Sequence, residues 1–293
     1  MALAQNKRVC ITIDDLPCAN CAEGTWQQVT TDLLRTLTEH QVPAIGFVNE
    51  NKLFVHDHLD SNRYRLLEQW LDAGMELGNH TYSHPGATAT DLRTYTADIV
   101  RGEAHLRPLI AGRQGTLRYF RHPFLQAGAT VGRRDTLNGV LDSLGYTIAP
   151  VTFDNDEYIH AFCYEHARRR GQDSLMSAIA EEYLNYMARV VHFHEEQAQA
   201  LMGREIPHIL LLHANALNAS ELDRLLRWFV QEGYTFISLD EALNDPVYTL
   251  PEATTRYGFS WIRRWQLAQG QEPPWPPEVD PVTLATYNAL RTP

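Results

Sequence analysis

Short apolar runs alternate with amphipathic stretches from residue 8 to about residue 245, and no other feature constrains the fold as much. The apolar runs predict strands over 8–14, 44–49, 75–79, 117–121, 147–153, 207–213 and 234–238. Between them, 25–40, 62–73, 90–111, 133–144, 173–202 and 219–232 place apolar residues at helical spacing. The first of these opens near Thr25. The last follows Asn218-Ala-Ser220, a capping signal ahead of Leu222, Leu225, Leu226 and Phe229. The strand runs are continuously apolar, as in strands covered on both faces. Such alternation implies a parallel sheet with helices outside it, either open or closed into a β/α barrel.

Two segments stand apart. Residues 157–205 form a long, mostly helical pattern with Met176, Ile179, Tyr183, Met187 and Val190 on one stripe. They read as an insertion between two barrel strands that packs beside the active-site end. After residue 248 Pro, Trp and Tyr dominate, and Pro273-Pro274-Trp275-Pro276-Pro277 makes a stiff extended piece. The expected organisation is one domain over 6–248, with a helical insertion at about 157–205, and a tail over 249–293 packed on it.

A net charge of −11 disfavours nucleic acid as a partner, because phosphate binding needs a basic surface. There is no run of about 18 apolar residues to predict a membrane span. Ala2-Leu3-Ala4 has the small-x-small pattern of a signal-peptidase site, so a periplasmic or secreted location is expected, with a cytoplasmic start as the alternative. Cys18-Ala-Asn-Cys21 cannot supply four zinc ligands, and it reads as a local disulfide or two free thiols.

The chemistry gathers at strand ends. Asp14-Asp15 closes the first run, and two adjacent like charges need a metal, an arginine or a shared proton to offset them. Successive strand residues point to opposite sides, so the two acids can serve different tasks. Asn79-His80-Thr-Tyr-Ser-His84-Pro85 follows the third run, and two imidazoles four residues apart can face one ion. Asp15 would complete a His-His-Asp set of the kind zinc takes, with a position left for water. Arg121, Asp154 and His213 follow three further runs. By contrast, His56-Asp-His58 and His192-Phe-His194 fall in a polar loop and a helical pattern.

These segments together resemble the polysaccharide deacetylase family, the NodB-homology carbohydrate esterases. The family's T-F-D-D-G-P is similar to Thr12-Ile-Asp14-Asp15-Leu16-Pro17, and its H-[ST]-x-x-H-P is matched by His80 to Pro85. R-x-P-[FY] is matched by Arg121-His-Pro123-Phe124, D-x-x-D-W is approximated by Asp154-Asn-Asp-Glu157-Tyr158, and L-x-H corresponds to Leu211-Leu-His213. The resemblance spans roughly residues 6–245. It implies an α/β fold, a distorted (β/α) barrel, and metal-dependent removal of acetyl groups from N-acetylated glycans such as chitin or peptidoglycan. It further implies that Asp15, His80 and His84 hold a divalent metal, foremost Zn2+, with Co2+, Ni2+ or Mn2+ as substitutes. Asp14 would be the general base and His213 the general acid. Arg121 would orient Asp14 and keep it ionised, and Asp154 would tune His213. Pro123, Phe124, Tyr158 and Leu211 would bind substrate, with Tyr158 and Leu211 walling an acetyl pocket.

Departures from the pattern bear on the substrate. Leu16 stands where the family has Gly, and its bulk is expected to narrow the approach to the metal. Tyr158 replaces Trp, and Glu157 replaces Asp. A lidded pocket would suit a short oligosaccharide or a small amide, whereas a polymer needs an open groove. The rival readings are a hydrolase of an acetyl ester or cyclic amide on the same fold, and an inactive carbohydrate-binding relative.

Overall fold

The computed structural model describes residues 7–291, so Ala2-Leu3-Ala4 lies outside the described residues. The strands are β1 (Lys7–Leu16), β2 (Ile45–Val48), β3 (Phe54–Val55), β4 (His58–Leu59), β5 (Glu76–Asn79), β6 (Tyr119–Phe120), β7 (Thr147–Ile148), β8 (Pro207–His213) and β9 (Tyr234–Phe236). The helices are α1 (Trp26–Glu39), α2 (Ser61–Asp72), α3 (Leu92–Arg101), α4 (Leu106–Ala111), α5 (Val131–Ser143), α6 (Glu157–Arg168), α7 (Asp173–Met202), α8 (Ala216–Gln231), α9 (Leu239–Leu243), α10 (Trp261–Ala268) and α11 (Pro281–Arg291). Among the described residues, no helix is long and apolar enough to cross a membrane.

Seven strands form one parallel sheet in the order β7-β6-β5-β2-β1-β8. The seventh, β9, pairs with Lys7–Val9 at the start of β1, while β3 and β4 form a separate antiparallel pair. The sheet curls until its ends meet. Just after β7, Thr152 and Phe153 both donate their N–H to the Ile209 carbonyl at 3.0 Å, and Leu211 donates to Phe153 O at 3.3 Å. The result is a distorted barrel. Only two residues of the predicted 147–153 strand pair with β6; the remainder swings across to β8.

The alternation of β1 builds two cores. Cys10 points into the barrel with Phe47, Tyr119, Ala149 and Ile209, whereas Val9, Ile11 and Ile13 face the helices, among Leu33, Leu37, Leu222 and Leu226. Burying each aliphatic side chain of this size contributes roughly 1.5–3 kcal/mol. Leu16 is fully buried in the helix-side core, where Gly46 makes room for it: a Cβ on Gly46 would stand 2.7 Å from Leu16 Cδ2. The expectation that Leu16 narrows the site is therefore corrected, since its bulk goes inward.

Local capping moves some helix boundaries. α8 starts at Ala216, because Asn215 accepts from the Asn218 N–H and caps the helix ahead of the predicted signal. The predicted helix over 90–111 is two helices, α3 and α4. Gly102 ends α3 hard against the 81–82 backbone; a Cβ there would lie 2.5 Å from the Thr81 carbonyl carbon. Residues 157–205 hold α6 and α7, which pack on each other and on α8. The chain after 248 contributes α10, whose Trp261, Ile262 and Trp265 are buried beside Val151 and Leu211. It then runs extended through the Pro273–Pro277 piece to α11, which lies on α6. Cys18 and Cys21 form a disulfide in the loop after β1.

Candidate active site

β1 delivers two carboxylates to one place, although simple alternation would send them apart. Asp14 pairs in register with His213 of β8 and points into the barrel. Between Ile13 and Leu16 the pairing with β2 shifts, and Asp15 takes a φ of 70°. This bulge turns Asp15 back, so both acids line the same cavity. The sequence expectation of opposite sides thus gives way to a local distortion. Thr81 (φ 68°), His84 (φ 60°) and Phe124 (φ 55°) share the left-handed conformation, which costs energy in residues with a Cβ and gathers where function demands it.

His80 and His84 sit on a loop, not a helix. Asn79 Oδ1 accepts the Thr81 N–H at 2.7 Å, Thr81 Oγ1 accepts the His84 N–H at 3.0 Å, and Asp98 holds Ser83 through its N–H and its hydroxyl. These side chains replace the backbone ladder that a helix would supply. The His80 Nδ1–H donates to the Arg121 carbonyl at 2.8 Å, which leaves Nε2 without a proton and 3.7 Å from Asp14 Oδ2. His84 Nε2 lies 3.7 Å from Asp15 Oδ1. One donor atom from each of Asp15, His80 and His84 falls within 4.8 Å of the others. Burial pushes both imidazoles down, His80 to about 3 and His84 to about 4, so both are neutral as metal ligands must be.

Asp15 Oδ1 is buried and accepts no hydrogen bond. A buried carboxylate oxygen with no hydrogen bond keeps a lone pair free, and together with two neutral imidazoles it fits a divalent cation. Lys52, from the turn after β2, places its ammonium 3.2 Å from Asp15 Oδ1 and donates to Asp15 O at 2.9 Å. Burial disfavours the Asp15 charge, but Lys52, His84, His213 and His80 outweigh it and hold the group below the usual carboxylate range.

Arg121 is fully buried over the Phe47 ring, and its Nη1 donates to Asp14 Oδ1 at 3.1 Å. The sequence predicts that this arginine keeps Asp14 ionised. Burial is the stronger influence, however, and it raises Asp14 above the ordinary value despite Arg121. A raised carboxyl is a better proton acceptor near neutral pH.

The partner of His213 is Glu157, not Asp154. The His213 Nδ1–H donates to Glu157 Oε1 at 2.9 Å, and the His213 backbone N–H reaches the same oxygen at 2.8 Å. Asn215 and Asn218 also donate to this carboxylate, at 3.2 and 3.0 Å. Burial works against the imidazolium, but Glu157 prevails and raises His213 to about 9. The motif resemblance implies Asp154 for this place. The chain needs Asn155 and Asp156 to turn from the barrel into α6, so the carboxylate on the first helical residue is the one beneath His213. Asp154 instead lines the cavity, pushed to about 7 by burial and by Asp156.

These groups share a cavity of about 600 Å³. Asp14, Asp15, His80, His84, His213, Asp154, Phe124, Tyr158 and Leu211 line it, while Arg121 and Pro123 stand behind the lining. The far wall carries Phe162 from α6 and Tyr287 and Arg291 from α11. The sequence reading missed Lys52, the role of Glu157 and the α11 wall. Glu157 carried a signal, since it occupies an acid position in the fourth motif. Lys52 and Tyr287 carried none, because only folding brings them near.

The polysaccharide deacetylase family profile matches residues 3–149, half of the chain. The chain belongs to the polysaccharide deacetylase family. Among solved structures, this deacetylase-family chain is similar to the chitin deacetylase of the fungal pathogen Colletotrichum lindemuthianum, with 21% identity and a TM-score of 0.54 over 82% of this chain and 89% of that one. It is also similar to a mutant, with restored enzymatic activity, of a carbohydrate esterase family 4 pseudoenzyme from Bacillus anthracis, with 20% identity and a TM-score of 0.51 over 82% and 69%. A third likeness is to the family 4 esterase domain of a multidomain xylanase from the hindgut metagenome of Trinervitermes trinervoides, with 15% identity and a TM-score of 0.50 over 89% and 100%. At these identities the deacetylase-family likeness is one of fold.

Proposed function

We propose that the protein is a metal-dependent deacetylase that hydrolyses the acetamide of a short N-acetylated glycan or a glycan chain end. The observation that carries this reading is that Asp14 on Arg121 and His213 on Glu157 converge on one cavity, beside the Asp15, His80 and His84 set. Asp15, His80 and His84 would hold the divalent ion, which when bound lowers the pKa of water and polarises a carbonyl. Asp14 takes the proton of the attacking water, held in orientation by the Arg121 bond. His213, its Nδ1–H held by Glu157, donates from Nε2 to the departing nitrogen. Both transfers need only the two groups facing the cavity, and neither uses Asp154.

The closed far wall supports a short substrate. Tyr158, Phe162 and Tyr287 form an edge-to-face cluster with ring centroids 5.2–6.1 Å apart, and such faces accept the apolar side of a sugar ring. The same closure favours, as second reading, a small cyclic amide. The disulfide after β1 supports an oxidising, extracytoplasmic setting. The deciding experiment is acetate release from Zn2+-loaded protein over chitin oligomers, peptidoglycan fragments and acetylxylan, with ring opening of cyclic amides followed in parallel. Release from N-acetylated oligomers, abolished by chelation, is the expected result. Turnover confined to esters or cyclic amides would transfer the protein to the second reading, and no turnover on any substrate would mark an inactive relative.

A further inference from the structure

A second group of metal-ligating side chains lies outside the active site. His160 of α6, Glu182 of α7 and Asp280, which caps α11, each offer a donor atom within 4.8 Å of the others. His160 is completely buried, yet neither ring nitrogen has a hydrogen-bond partner. A buried imidazole usually has at least one, because leaving the group bare costs roughly 1–3 kcal/mol. The tyrosines that pack on the ring make no hydrogen bond to it and are bonded elsewhere. Tyr183 donates its hydroxyl to Asn218 at 2.6 Å, and the Tyr186 hydroxyl accepts the Asp156 N–H at 2.8 Å.

The two carboxylates are each half spoken for. Asp280 Oδ1 accepts the Val282 and Thr283 N–H groups and starts α11, but its Oδ2 is buried without a partner. Glu182 Oε1 pairs with Arg189 at 2.9 Å, and the side chain is about a quarter exposed, which leaves an opening from solvent. One imidazole and two carboxylates, contributed by α6, α7 and the residue that caps α11, are a donor set for Zn2+ or Mn2+.

We propose that His160, Glu182 and Asp280 bind a second divalent metal ion, which fastens α11 to α6 and α7. The site lies behind the far wall of the catalytic cavity, since α11 carries Tyr287 and Arg291 into that wall. Occupancy thereby sets how firmly the wall stands, without any part in proton transfer.

The test is metal stoichiometry on the full-length protein, stripped with chelator, reloaded with Zn2+, freed of excess and analysed by mass spectrometry. Two ions per chain are expected. Glu182→Gln and Asp280→Asn keep the shape of the site, and Asp280→Asn keeps the oxygen that caps α11; each should bind one ion. The double variant His80→Ala/His84→Ala should also bind one, so failure of the catalytic metal and failure of this site are read separately. Thermal unfolding adds a readout independent of activity: Zn2+ should raise the midpoint of the His80→Ala/His84→Ala protein, and Asp280→Asn added to it should abolish that rise. One ion per chain that disappears with His80 and His84, or two ions that survive both Glu182→Gln and Asp280→Asn, would overturn the proposal.

Discussion

The cavity has two walls built in opposite ways. The sheet wall, from the ends of β1, β5 and β6, presents Asp14, Asp15, His80 and His84 within a short reach of backbone. Its partners are a buried arginine, a lysine and main-chain carbonyls. The helical wall, from α6 and α11, presents Tyr158, Phe162 and Tyr287, and α6 places Glu157 under His213. In the first wall burial dominates at Asp14 and the two histidines, so Asp14 is raised and the histidines are kept neutral, whereas at Asp15 the Lys52 charge and its neighbours prevail. In the second, an ion pair overcomes burial and His213 stays charged to about pH 9. One fold thus makes a base and an acid from environments that push protons in opposite directions.

The largest effect belongs to the sheet wall. Asp14→Asn should retain metal, since Asp14 is outside the ligand set, and lower kcat by about 10²–10⁴-fold, the usual range for a general base. Metal content measured beside steady-state kinetics checks this; undiminished kcat with metal bound would move the base elsewhere.

Glu157→Gln probes the other wall. The folded pKa of His213 is raised, so the imidazolium persists below about 9, and its contribution to stability is complete below about 6.5 and lost as pH rises through about 9. Without the Glu157 charge the pKa should fall toward 6.5. At pH 8 the imidazolium fraction then drops from about nine-tenths to about 3%, roughly a thirty-fold loss of rate. A pH–rate profile whose alkaline limb moves down in Glu157→Gln but not in Asp154→Asn separates the two carboxylates. A limb that moves only with Asp154 would restore the motif-based assignment.

The smallest effect concerns the aromatic face. Tyr287→Ala removes one of three clustered rings and should raise KM for a short N-acetylated oligomer about threefold to tenfold, with kcat nearly unchanged, as expected for a stacking contact of about 0.5–1.5 kcal/mol. Kinetics on the dimer and the hexamer sharpen the point, because opening this wall should relieve any preference for the shorter one. A fall in kcat of the same size would mean that α11 acts on the proton-transfer groups.

All seven sheet strands were legible in the sequence because buried parallel strands are short apolar runs, and the pattern survives without any knowledge of neighbours. His80, His84, Asp14, Asp15, Arg121 and His213 were legible for a related reason: polar groups at the ends of such runs must meet at one end of a parallel barrel. Helix ends were less so, since Asn215 and Gly102 act through a cap and a close approach that depend on neighbouring loops.

The sequence by itself determined the barrel, the family and the residues at the strand ends. Only the tertiary structure decided which carboxylate supports His213, that Asp15 turns back beside Asp14, that Leu16 fills the core and leaves the cavity clear, and that α11 closes the far wall. The physical reason is the range of the forces involved. Strand formation and strand-end chemistry follow from patterns a few residues long, whereas the Glu157 bond spans 56 residues of chain and the Tyr287–Tyr158 contact spans more than a hundred.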